Sequence, residues 1–126
     1  MHLSGDKVSH RELSGKTGEK YSLSADISEA LGLQNVSVRH EIIPAGRRAS
    51  RSHTHTHKEE MIFVLEGTPT AVLNGTETVC SVGDSFGFKP GESNYHYVEN
   101  RTQSVARVLV ISSLNVNDRA VYQDTQ

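Results

Sequence analysis

Apolar residues along this chain come in short runs separated by polar ones, and glycine or proline closes most of the runs. Val36–Ile43 alternates Val36, Val38, His40 and Ile42 against Ser37, Arg39, Glu41 and Ile43, the pattern of a half-buried strand. His40 falls on its apolar side, as a histidine satisfied inside the core or at its rim. Met61–Leu65 is apolar at every position, so a strand buried on both faces is expected there. Ala71–Leu73 and Thr76–Cys80 flank Asn74-Gly75, a strong hairpin signal. Further strands are predicted over Ser85–Phe88, Tyr95–Glu99 and Val105–Ser112. Ser24–Gly32 carries a helix start and a glycine stop, enough for a short helix near Asp26–Leu31. Residues 1–20 are polar and broken by glycines, a loose arm with a short strand around Val8–Leu13. The polar tail, residues 115–126, is expected to wrap the surface or a partner subunit. Short strands with close turns predict an all-β sandwich or barrel in one domain spanning 1–126.

Composition sharpens this picture. A chain of 126 residues can bury a core without disulfides. Cys80 is the lone cysteine, so no internal disulfide can form, and a reducing cytoplasm is the natural setting. Cys80 itself is expected to be a small buried hydrophobe. No run is apolar enough to span a membrane, and the start lacks a signal-peptide core. A formal charge of −2 gives no reason to expect nucleic acid or an anionic membrane as partner.

The candidate chemistry lies in His53 to Gly67, reading HTHTHKEEMIFVLEG. Residues two apart on a strand share a face, so His53 and His55 aim at one point. His57 joins them only if the strand stays straight. Glu60 has the opposite parity, so a turn at Lys58-Glu59 must intervene before it can face the same point. Imidazole with carboxylate suits a borderline divalent ion: zinc, manganese, iron, nickel or copper.

These residues resemble a known family. Gly46, His53-x-His55, Glu60 and Gly67 look like the first motif of the cupin superfamily. Gly83 through Pro90-Gly91, followed by His96 and Asn100, resembles the second. The wider stretch from about residue 30 to residue 124 is similar to small single-domain bacterial cupins of an uncharacterised subgroup. The resemblance implies a double-stranded β-helix, the jelly-roll barrel, with one metal ion held by His53, His55, Glu60 and His96. His96 lies one residue further from Pro90 than the family pattern has it. A rival frame of His55, His57 and Glu60 leaves too few residues between the second histidine and the glutamate. Such a ligand set leaves positions open for water or substrate if the metal is six-coordinate, unlike a closed structural zinc site.

Function stays broader than fold. One reading is a metal-dependent enzyme, an isomerase, lyase or dioxygenase. It would act on a small polar molecule, a sugar derivative or a keto/hydroxy acid, by Lewis-acid activation. His57 and Tyr95 are its candidate catalytic groups. The other is a non-catalytic, small-molecule-binding or sensory module; the stretch before the barrel holds no second helix to read a DNA groove. Tyr97 and Arg51 are candidates for the pocket mouth, and Asn100 is expected to anchor the turn after it. Because Met61–Leu65 is apolar on both faces while a barrel has one interior, a homodimer is expected, the alternative cover being the N-terminal arm.

Overall fold

The computed structural model describes residues 1–124. Eleven strands and two short helical segments make up two antiparallel sheets facing one another. A 3-10 turn at Gly5–Lys7 leads to β1 (Arg11–Ser14), β2 (Lys20–Asp26), the single-turn helix α1 (Ile27–Ala30) and β3 (Val36–Ile43). Then come β4 (His53–His55), β5 (Glu60–Glu66), β6 (Thr70–Leu73), β7 (Thr76–Val79), β8 (Ser85–Phe88) and β9 (His96–Glu99). The last two are β10 (Ala106–Ser113) and β11 (Ala120–Tyr122). The first sheet runs β1-β2-β3-β10-β5-β8 and the second β11-β4-β9-β6-β7. This is the jelly-roll barrel.

Local sequence explains most of the turns. Asn74 and Gly75 both adopt positive φ, 50° and 81°, as a tight two-residue hairpin between β6 and β7 requires. Gly67 ends β5 at φ 81°, and a Cβ there would lie 2.9 Å from the Val105 carbonyl oxygen. The buried Asn100 side chain donates to the carbonyls of Ile43 and Ser104 and accepts from Thr102, fixing the loop into β10.

Two expectations change. The stretch entering the helix is a strand, β2, and only Ile27–Ala30 is helical; Asp26 caps it by accepting the Glu29 N–H at 2.9 Å. A polar run containing Tyr21, Leu23 and Ala25 lacks a strong alternating signal, and pairing to β1 and β3 decides its form. The second change concerns β3, whose bounds match the sequence pattern but whose faces are reversed. Glu41 and Ile43 lie on the buried face, with Arg39 beside them. His40 is half-buried on the other face, where its Nδ1 lies 2.8 Å from His10 Nε2 of the N-terminal arm. Burial and its two cationic or imidazole neighbours, His10 and Arg107, hold the His40 pKa below its ordinary value. The polar residues turn inward because this end of the barrel is a lined cavity, so polarity does not mark the solvent side.

The apolar core sits at the opposite end, where Ile43, Val64, Val108, Ala106 and Cys80 are almost wholly buried. Burial pushes the Cys80 thiol pKa up. The expected burial of β5 on both faces is not met: Ile62 and Val64 face this interior, while Met61 and Leu65 are exposed on the outside, where no second layer of this chain covers them. The tail is ordered locally: β11 pairs with β4, placing Ala120 opposite His55 and Tyr122 opposite His53. Thr125 and Gln126 lie outside the described residues.

Candidate functional site

The barrel's polar end brings three histidines and a glutamate together. β4 and β9 are neighbours in the second sheet, and their one register pair sets His53 opposite His96. The two rings lie 4.6 Å apart between centroids. β4 ends at His55, so His57 does not continue the series. The Thr56–Glu59 reversal then delivers Glu60 as the first residue of β5, on the inward face with Ile62 and Val64. One ligand atom each from His53, Glu60 and His96 fall within 4.8 Å of one another, a group that could hold a metal ion. His55 Nε2 stands 3.6 Å from Glu60 Oε2, too far for a hydrogen bond, and His96 Nε2 stands 3.1 Å from Glu60 Oε1.

Each histidine is held by its outer nitrogen. His53 Nδ1 lies 2.8 Å from the Arg51 carbonyl oxygen, and His96 Nδ1 lies 2.8 Å from that of Asn94. His55 Nδ1 lies 2.9 Å from Asp118 Oδ2. A carbonyl or carboxylate can only accept, so each Nδ1 carries the hydrogen. In the neutral ring that leaves the Nε2 lone pair free. The His96 ring also stacks on Phe88, with centroids 3.8 Å apart and planes 3° from parallel. Burial drives the His53 pKa down to about 4, against the Arg51 hydrogen bond that would raise it. Burial alone would raise Glu60, but with a proton on their facing nitrogens His55 and His96 would outweigh it and hold the carboxyl below the usual range. His55 Nε2 is buried with no hydrogen-bond partner among the described residues. An orphaned nitrogen beside a carboxylate and two more imidazoles fits the donor chemistry of a metal site.

Asp118 is the residue that sequence reasoning missed. Its Oδ1 accepts the backbone N–H groups of His57 and Lys58 at 2.9 and 3.1 Å, while its Oδ2 holds His55. It thus shapes the reversal that turns His57 away and orients a neighbouring imidazole in one stroke. Burial opposes its ionisation, but those N–H groups and His55 keep its pKa below the ordinary value. No local motif marks it; it is one aspartate in a polar tail, brought in by β11.

His57 is exposed, with its Nδ1 2.7 Å from Thr56 Oγ1, and it does not line the cavity. Tyr95 is half-buried just before β9, and its backbone N–H donates to Asn74 Oδ1; it does not line the cavity either. Tyr97 does line it; Arg51 does not, and its guanidinium stands 4.0 Å from the centroid of the Tyr122 ring, which does. The cavity measures about 230 Å³. Besides the histidines and Glu60, it is lined by Arg39, Glu41 and Lys58, none of which the sequence singled out. Glu41 is buried and accepts the Ser22 hydroxyl at 3.1 Å.

The sequence profile of the Cupin domain matches residues 39–112, more than half the chain, and the chain belongs to that family. No functionally curated protein matches it. Among solved structures it is similar to a sugar phosphate isomerase of the cupin superfamily from Silicibacter pomeroyi. There the TM-score is 0.88 and identity 25%, covering 99% of this chain and 83% of that one. A polyketide cyclase from Streptomyces resistomycificus superposes with TM-score 0.78 at 17% identity, covering 100% and 87%. A predicted oxalate decarboxylase from Thermotoga maritima superposes with TM-score 0.74 at 19% identity, covering 91% and 100%. These last two likenesses speak to the fold alone. No helix among the described residues is long and apolar enough to cross a membrane.

Proposed function

We propose that this protein is a metal-dependent enzyme acting on a small polar molecule, with His53, His55, Glu60 and His96 as the metal ligands. The observation that carries the reading is the buried, partnerless His55 Nε2, aimed at the same carboxylate that His53 and His96 surround. Three imidazoles and one carboxylate suit a borderline divalent ion and do not close its coordination sphere. A bound ion of that kind would supply Lewis acidity toward a carbonyl or a pair of substrate oxygens. The chain's own residues do the rest. Asp118 and the Arg51 and Asn94 carbonyls hold each ring in one tautomer. Phe88 fixes the His96 plane. Glu41, buried in the same cavity, is a candidate to take or return a substrate proton, a role for which His57 and Tyr95 are less well placed. The sugar phosphate isomerase likeness favours a phosphorylated sugar as the substrate class.

Elemental analysis of the protein purified without a histidine tag tests the ligand set. His55→Ala and His96→Ala should each lose most of the metal, and His57→Ala should keep it. If His57→Ala empties the site while His53→Ala leaves it full, the rival frame is right. Wild-type protein free of any divalent metal would refute the reading.

The reading extends to a homodimer. Met61 and Leu65 are exposed on the outside of β5, next to the half-buried Phe63, Leu109 and Ile111 of the same sheet face. A second copy would cover these apolar side chains. A monomer in sedimentation at micromolar concentration would refute this.

A further inference from the structure

Arg39 stands apart from the other half-buried arginines among the described residues. Arg47 pairs with Glu12, Arg48 with Glu19, Arg51 with Asp124 and Arg107 with Glu66. Arg39 makes no hydrogen bond and no ion pair among the described residues, and its Nε is shut away from solvent with no partner. A guanidinium nitrogen buried without an acceptor is costly unless something else supplies one. Two carboxylates lie near it without pairing to it. Asp26, its register partner on β2, feels its charge and caps α1 through one oxygen, Oδ1, which accepts from both Ser28 and Glu29. Glu41, two residues along the same face, takes the Ser22 hydroxyl.

Its position gives the missing acceptor a place. Arg39 lines the cavity that holds the histidines, and it also lines an adjoining outer groove of about 620 Å³ with His10, Arg11, Asp26 and Glu29. It therefore stands where the inner cavity and this groove meet. Lys58 lines the inner cavity too and forms no ion pair among the described residues. Of the two carboxylates that line the cavity, Glu41 accepts the Ser22 hydroxyl and Glu60 faces the histidines. A planar fork of N–H donors suits a phosphate or carboxylate, and does so in two-point fashion.

We infer that Arg39, assisted by Lys58, anchors an oxyanion, the phosphate or carboxylate end of the substrate, at the seam between the metal cavity and the outer groove. The inference rests on the proposed enzyme reading for the word substrate; the anion site itself does not depend on it. The ligand is one small molecule whose oxygenated end meets the histidine cluster and whose charged end meets Arg39.

Titration calorimetry on the protein as purified tests this, with inorganic phosphate and acetate as separate probes against wild type, Arg39→Gln, Arg39→Lys and His96→Ala. Thermal melts first establish that each variant is folded. Wild type should bind at least one probe, and which one binds tells phosphate from carboxylate. Arg39→Gln should weaken that binding about ten- to a hundredfold, the range for losing a hydrogen-bonded charge. Arg39→Lys should recover part of it. His96→Ala should leave most of it, because the anchor is not the metal. Wild-type affinity in Arg39→Gln, anion binding lost in His96→Ala instead, or no binding of either probe at tens of millimolar each overturns the inference. Metal analysis reads the enzyme proposal separately, so a metal-free wild type that still binds phosphate through Arg39 would sink one and leave the other standing.

Discussion

The two ends of the barrel interior are built by the same strands from opposite kinds of residue. β3 carries Arg39 and Glu41 inward at one end and Ile43 at the other. β5 carries Glu60, then Ile62 and Val64; β9 carries His96, then Val98. β10 carries Ser112, then Val110, Val108 and Ala106. Each inward face thus changes from polar to apolar within a few residues, and the register aligns the change across the sheet: Glu60 opposite Ser112, Val64 opposite Val108, Ile43 opposite Ala106. The apolar end is close-packed and supplies stability through burial. The polar end buries groups that are costly without partners, and it is held in shape by hydrogen bonds to Asp118 and to backbone carbonyls. Stability and chemistry are therefore separable along one barrel axis.

That separation can be attacked from the apolar end first. Ile43→Ala should cost about 2–5 kcal/mol of folding stability, because a wholly buried branched side chain leaves a cavity. Metal content per folded molecule should stay unchanged. Denaturant melts with elemental analysis check both, and metal lost in step with stability would mean that the two ends are coupled.

Acid should probe the polar end next. The buried His53 has its pKa lowered to about 4 from 6.5, so the folded state binds fewer protons than the unfolded chain between those values. A depressed pKa contributes stability that is fully present above 6.5 and is lost as pH falls toward 4. In metal-stripped protein this loss should reach at most about 3.5 kcal/mol, from roughly 1.4 kcal/mol per pKa unit. Glu60, whose carboxyl is also held below its ordinary 4.5, adds a loss in the same direction at still lower pH. Thermal melts from pH 7 to 4 in chelator check this; a midpoint flat across that window would contradict the buried neutral His53.

Asp118 sharpens the comparison at smaller scale. Asp118→Ala frees His55 Nδ1 and the reversal at His57-Lys58, and metal affinity should fall about 10–100-fold. Competition with a metal indicator reads it, and an unchanged affinity would remove His55 from the proposed ligands. The smallest effect belongs to the outside of the barrel. Arg101 pairs with Glu77 and Glu99 in the open, and Arg101→Ala should leave both the thermal midpoint and the metal content nearly unchanged in melts and elemental analysis.

How much of this was legible beforehand differs by feature. Strand β3, the β6–β7 hairpin and the sequence-local geometry of His53 and His55 follow from alternation and from Asn74-Gly75, because such signals are carried by adjacent residues. β2 and β11 were not visible, since short polar strands form only when a neighbouring edge accepts their backbone. Cys80 and Asn100 lie where their chemistry suggested, one buried and one pinning a turn.

The sequence by itself determined the barrel class, the family and the short list of imidazoles, because periodicity, turn residues and motif spacing are local properties of the chain. Only the tertiary structure decided which side of β3 is inside. Alternation reports that two faces differ, and it does not report which of them meets a polar cavity. It also decided that His57 turns out and that Asp118, from the far end of the chain, turns in. Arg39 acquires its interest in the same way: its partnerless nitrogen exists only where β2, β3 and the histidine cavity meet.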